Sequence, residues 1–226
     1  MTRRRAFAIL FSLTSVASLA LAHGALIGYK TYANVDEAYA SAIGSRLVDG
    51  FTLYDGAVSQ RGPLMYESFA LFSRVFGWDD IFALRIVALL LALAHVLLVY
   101  LAGRALLTRT AAIIATAITT YALAFGFPAL DGVAVNGETL QAPLVIVATA
   151  LGAIAMRRKP ASRERTRDLA LSGILWGAAI AIKPQILPQI VPISIWLVLD
   201  ARRRKRSALG SDASVALGSV LAVPLL

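Results

Sequence analysis

IFALRIVALLLALAHVLLVYL, residues 81–101, carries one arginine and one histidine in an otherwise apolar and aromatic run. About 20 such residues in a helix rising 1.5 Å each span the ~30 Å of hydrocarbon in a bilayer. Six more apolar runs surround it: Ala6–Ile27, Ala111–Phe127, Leu140–Met156, Leu169–Ile182, Ile186–Leu199 and Ala213–Leu226. The reading is therefore an all-α polytopic membrane protein with about seven transmembrane helices. Composition agrees: 58% of the 226 residues are hydrophobic and 15% are charged, against roughly 25% charged in soluble domains.

The chain is basic, with 22 Lys+Arg against 13 Asp+Glu. Sixteen of those cations lie at Arg3–Arg5, Arg104 and Arg109, Arg157–Arg167 and Arg202–Arg206, which are alternate junctions between the runs. Cytoplasmic loops carry such an excess, so the amino terminus is expected inside and the 30–80 loop outside. The surplus thus reports topology rather than nucleic-acid binding. The first run also matches a signal peptide, with Ala20-Leu21-Ala22 as a cleavage site. Its continuation through Ile27 favours an uncleaved helix, and both outcomes leave the next loop outside. The last run reaches Leu226 without a polar flank, which reads as the amino-terminal part of a longer protein. With no cysteine, disulfides and thiolate chemistry are excluded.

The 30–80 loop is far longer than a helix connection needs. Val35, Tyr39, Ile43 and Leu47 recur at four-residue spacing, with Asn34 as a cap, Asp36 and Glu37 in the first turn, and an end near Gly50. A second helix opens at Pro63 and closes at Gly77. Its Leu64, Met65, Phe69, Phe72, Val75 and Phe76 are expected to bury against the membrane surface. Two interfacial amphipathic helices joined by an extended Tyr54–Ser59 link are expected.

Asp36-Glu37, then Gly50-Phe51-Thr52-Leu53-Tyr54, then Arg61-Gly62-Pro63-Leu64-Met65-Tyr66 resemble in order the opening of the GT-C membrane glycosyltransferases. The nearest pattern is that of the protein O-mannosyltransferase and lipid A aminoarabinose transferase group. Asn136-Gly137-Glu138 and the Gly173–Lys183 stretch ending in Lys-Pro are similar to later landmarks of that family. Arg61-Gly62 stands where Lys-Pro is common, and the family runs longer than this chain.

The resemblance implies one GT-C-like transmembrane domain over 1–226 with its catalytic loop at 30–80. It implies a hexosyl- or pentosyltransferase of the bacterial cytoplasmic (inner) membrane, serving cell-envelope glycosylation and inactive as this portion alone. The donor is a polyprenyl-phosphate sugar, and the acceptor is a lipid, glycan or protein. Asp36 is the expected catalytic base with Glu37 as its partner, because transfer to a hydroxyl needs a proton acceptor within hydrogen-bond reach. Arg61 and Lys183 are expected on the lipid phosphate, since a departing phosphate calls for fixed positive charge. Tyr54, Glu138 and Asp131 are supporting residues.

The residues alone also allow simpler readings. Asp36 and Glu37 suit a helix start, Glu138 suits another, and Arg61 suits pairing with lipid headgroups. Lys183 is more pointed. The fourteen-residue limbs on either side of Lys183-Pro184 reach only ~21 Å each, which sets the apex below the outer surface, where ionisable groups mark ligand paths. An extended limb with a snorkelling lysine is the alternative. No His/Asp/Glu cluster has metal-ligand spacing, although Glu138 with help suits a divalent ion; His23 and His95 are given no role. Competing functions are a transporter or lipid flippase, and a non-catalytic envelope-assembly scaffold. A transporter would place broken helices and charge at the midplane within internal repeats, and no repeat is visible. A scaffold would not need Asp36, Arg61 and Lys183 on one face of the membrane.

Overall fold

The computed structural model describes residues 3–27, 32, 34–53, 61–77, 80–126, 134–159, 162–188 and scattered positions beyond. Seven α-helices occur among them, and no strand: α1 (Arg3–Ile27), α2 (Val35–Val48), α3 (Pro63–Phe76), α4 (Ile81–Leu106), α5 (Arg109–Tyr121), α6 (Gly137–Arg157) and α7 (Arg163–Ile182). A π-helical turn, Ala122–Gly126, prolongs α5, and a 3-10 turn, Pro184–Ile186, follows α7.

Among the described residues, α4 and α6 are long and apolar enough to cross a membrane; α1 and α5 carry shorter apolar stretches at Leu13–Gly24 and Arg109–Phe125. Of the seven expected spans, two meet the test of length and composition among the described residues. The reason is visible in α7, whose first two turns hold Arg163, Glu164, Arg165, Arg167 and Asp168, so its apolar part is only the stretch Leu169–Ile182. The sixth and seventh runs fall mostly outside the described residues, as do the Tyr54–Ser59 link, Tyr54 and Asp131.

The chain divides into two compact units, one of Met1–Thr52 with Tyr66–Thr139 and one of Leu53–Met65 with Leu140–Leu226. In the first, α4 and α5 form a tight helical hairpin. A Cβ on Gly103 would lie 2.9 Å from the Ala112 Cβ, closer than side chains normally approach. Thr108 caps α5, its hydroxyl accepting from the Ala111 N–H at 3.2 Å.

The helices of the long loop begin and end where expected. The Asn34 side chain accepts from the Glu37 N–H at 2.9 Å and so satisfies an orphan donor of the first turn of α2. Gly50, at φ 92°, ends it: the Gly50 N–H reaches Leu47 O at 3.2 Å and the Phe51 N–H reaches Arg46 O at 3.1 Å. This is a Schellman closure, which needs the left-handed conformation glycine adopts without a Cβ penalty. Gly77, at φ 87°, ends α3 in the same left-handed conformation, its N–H reaching Ser73 O at 2.9 Å.

The face that α2 buries is not its apolar stripe. Glu37, Ala40, Ser41 and Gly44 are buried, whereas Val35 is 83% exposed and Tyr39 42%. Small residues win because they let backbones approach. A Cβ on Gly44 would sit 2.7 Å from the Phe69 backbone carbon, so α2 rests directly on α3 at that point. On α3 the buried side is Met65, Tyr66, Phe69 and Ala70, while Leu71, Val75 and Phe76 face outward.

In the second unit α6 and α7 are antiparallel neighbours. The Ser172 hydroxyl donates to Ala148 O at 2.7 Å, and Ala148, Trp176 and Ile186 are buried together. At the other end of the pair Asp168 is buried and accepts from Arg158 Nε at 2.7 Å and Arg167 Nη2 at 3.0 Å.

Candidate functional site

Two clusters hold the candidate residues, one in each unit. The first lies at the start of α2. Glu37 is fully buried, and its carboxylate receives a two-pronged contact from Arg85 of α4. Arg85 Nη1 donates to Oε1 at 3.1 Å and Nη2 pairs with Oε2. Oε1 also accepts from the Val135 N–H at 2.8 Å. Arg85 is itself only 2% exposed. Both charges are thus out of water and matched by fork geometry plus a backbone donor, the condition under which a buried ion pair is tolerated.

Three segments far apart in sequence are tied here: the first turn of α2, the second turn of α4 and the Ala134–Asn136 approach to α6. Asp36, the preceding residue, is half-buried rather than enclosed. Successive helix residues point about 100° apart, so the two carboxylates face different surroundings. Tyr39 and Tyr66 meet edge to face with ring centroids 6.4 Å apart, and the Tyr32 hydroxyl donates to Ser41 Oγ at 3.1 Å.

Arg85 has no expected site role in the sequence, where its run reads as a membrane span. The available signal was a lone guanidinium inside an apolar stretch, which marks an ion partner or a ligand path. Nothing in the sequence pointed to Val135.

The Ala134–Asn136 segment is buried and ends in a reciprocal cap. Asn136 Oδ1 accepts from the Thr139 N–H, and Thr139 Oγ1 accepts from the Asn136 N–H, each at 2.9 Å. This is a capping box with threonine in the usual place of Glu or Gln. Glu138 lies within it, exposed, in the acid-favouring first turn of α6.

The second cluster brings Arg61 and Lys183 together on adjoining backbone. The Gly62 N–H donates to Ile182 O at 3.1 Å, so each cation flanks one end of that bond. A Cβ on Gly62 would fall 1.9 Å from Ala181 O. Only glycine fits, which explains Arg61-Gly62 where the resembled family commonly has Lys-Pro. Lys183 is extended (φ −147°, ψ 101°), caps the end of α7 and starts the 3-10 turn at Pro184. Both cations are half-buried. Two cationic residues on adjoining backbone offer the chemistry that suits an anionic group such as a phosphate. Among the described residues no three His, Asp or Glu side chains gather within reach of one metal ion.

A family model described as dolichyl-phosphate-mannose-protein mannosyltransferase matches residues 60–226, most of the chain. That span includes Arg61, Arg85, the capped start of α6 and Lys183. No curated protein matches the chain.

Proposed function

The chain belongs to the dolichyl-phosphate-mannose-protein mannosyltransferase family, which is a membrane-embedded glycosyltransferase family, and from that premise we propose that it moves a sugar from a polyprenyl-phosphate donor to an acceptor hydroxyl at the outer face of a bacterial cytoplasmic membrane. The observation that supports this reading is the Gly62–Ile182 hydrogen bond, which joins the backbone next to Arg61 to the backbone next to Lys183. In the reaction, phosphate leaves the sugar as the acceptor oxygen arrives, and negative charge grows on the phosphate oxygens. Cations held in place before the reaction stabilise that charge without reorganising. Arg61 supplies a fork for two oxygens and Lys183 a point charge.

Asp36 is the base that takes the acceptor proton. The environments support that division: the Glu37 oxygens are occupied by Arg85 and the Val135 amide, which suits Glu37 to holding α2, whereas Asp36 is half-buried. The outward apolar side chains Val35, Tyr39, Leu71, Val75 and Phe76 suit α2 and α3 to the lipid interface. The basic junctions support a chain of about seven spans with its amino terminus inside. Tyr54, Asp131 and Glu138 serve the acceptor side.

The test is binding of a polyprenyl-phosphate sugar to the purified chain in lipid nanodiscs. Arg61→Ala and Lys183→Ala should each weaken binding by about tenfold or more, the worth of one charge-assisted hydrogen bond. Unchanged affinity in both variants would remove the phosphate site from this junction.

A further inference from the structure

Below that junction, α6 and α7 pack along a face that buries the polar atoms Gln141 Oε1 and Trp176 Nε1. On α6, Gln141, Val145 and Ala148 succeed one another at four- and three-residue intervals, which stacks them on one side of the helix. On α7, Trp176 and Ile180 do the same, and Lys183 follows at the next interval. Val145 and Ile180 pack against the buried group of Ala148, Trp176 and Ile186, so these are the facing sides of the two helices. The Ser172–Ala148 hydrogen bond fixes the register. Two turns back along α6 from Ala148 is Gln141, and two turns on along α7 from Ser172 is Ala179, in the last turn before Lys183. Gln141 therefore stands at the level where α7 ends and Gly62 meets Ile182.

Gln141 is 9% exposed and Trp176 4%. Gln141 Oε1 and Trp176 Nε1 nevertheless have no hydrogen-bond partner among the described residues. Buried polar atoms are rarely left unmet, and each exception calls for an explanation. One of these is an acceptor and the other a donor. A hydroxyl, which both donates and accepts, is the group that meets either. Aliphatic side chains line the face between them, so each is an isolated polar point on an apolar face.

We propose that Gln141, with the Trp176 indole N–H deeper on the same face, binds a hydroxyl of the donor sugar next to the phosphate-holding Arg61 and Lys183. This rests on the donor-binding reading above and adds to it the element that distinguishes a sugar-bearing lipid from the bare lipid phosphate. Lys183 meets the charge that both lipids share; Gln141 meets a group that only one of them has.

The experiment compares two probes on the purified chain in nanodiscs, polyprenyl phosphate and polyprenyl-phosphate mannose. Gln141→Met keeps length and helix preference but removes the acceptor. It should lower affinity for the mannosyl lipid by about tenfold, the worth of one hydrogen bond left unmade, and leave the bare phosphate unchanged. Trp176→Phe keeps an aromatic ring, loses the N–H and should shift the same ratio in the same direction by a smaller factor. Lys183→Ala should weaken both probes alike. If Gln141→Met weakens both equally or neither, or if the parent chain does not distinguish the probes, the sugar assignment is wrong. If Arg61→Ala and Lys183→Ala leave both probes unaffected, the donor reading itself falls, a different pattern from the first. Should Gln141→Met not fold, Gln141→Asn, which keeps the amide but withdraws it by one methylene, must reduce the same ratio, and an unchanged ratio overturns the proposal.

Discussion

The start of α2 and the Gly62–Ile182 crossing both concentrate charge, but they treat it oppositely. At α2 the Glu37 carboxylate is sealed from water, gripped by Arg85 and capped by the Val135 amide. At the crossing Arg61 and Lys183 remain half-buried, and the tight fit is in the backbone beneath them. A charge enclosed with fixed partners holds structure, because moving it would strand a buried ion. A half-buried charge keeps contact with its surroundings, so it can exchange partners at lower cost. The lesson is that the adjacent acids Asp36 and Glu37, which read as one motif, have different environments and should fail differently when changed.

The sharpest way to break this comparison is to change the two acids separately. Asp36→Asn, made in the full-length enzyme, should cut sugar transfer in membranes by about 10²–10⁴-fold while leaving thermal stability and donor binding near those of the parent. If it transfers sugar normally, Asp36 is a helix-start charge and the base lies elsewhere.

Next in size is Arg85→Ala. Removing one partner of an enclosed pair leaves an uncompensated charge, and the expected loss is about 3–5 kcal/mol of stability, read as a fall in the denaturant or thermal midpoint of the purified chain. Changing Arg85 and Glu37 together, to Met and Leu, should recover much of that loss. A double variant as unstable as the single one would show that the pair is not self-contained.

Gly62→Ala probes the other region. The added Cβ would meet Ala181 O well inside contact distance, so the backbone must shift. A destabilisation of about 1–3 kcal/mol is expected, the range for overpacking, together with weaker donor binding. Retention of both properties would mean that the crossing is loose.

The smallest effect is expected from Arg61→Lys. It restores charge without the two-pronged geometry, and donor affinity should fall less than in Arg61→Ala, by about a few-fold. Equal losses for lysine and alanine would assign the role to the guanidinium shape rather than its charge.

Several features were legible from residues a turn or so apart. Asn34 was readable as a cap because its acceptor is the N–H of Glu37, three residues on. Gly50 and Gly77 were readable as stops because left-handed backbone selects glycine locally. The run at 81–101 was readable as helix because length and composition suffice. The burial of α2 was not: its regular stripe of Val35 and Tyr39 faces outward, and the face that packs is small and polar. Periodicity reports where apolar groups repeat, not which neighbour comes closest.

The sequence by itself determined the helical class, the helix ends of the long loop and the chemical types available for the reaction, since each depends on contacts within a turn or on summed composition. Tertiary structure alone decided that Glu37 is spoken for by Arg85 and Val135, that Arg61 and Lys183 share one backbone crossing, and that Gly62 has to be glycine. The partners in each case lie tens of residues apart. Their pairing follows from how closely backbones approach and which charges are desolvated together, and neither quantity exists until the chain has folded.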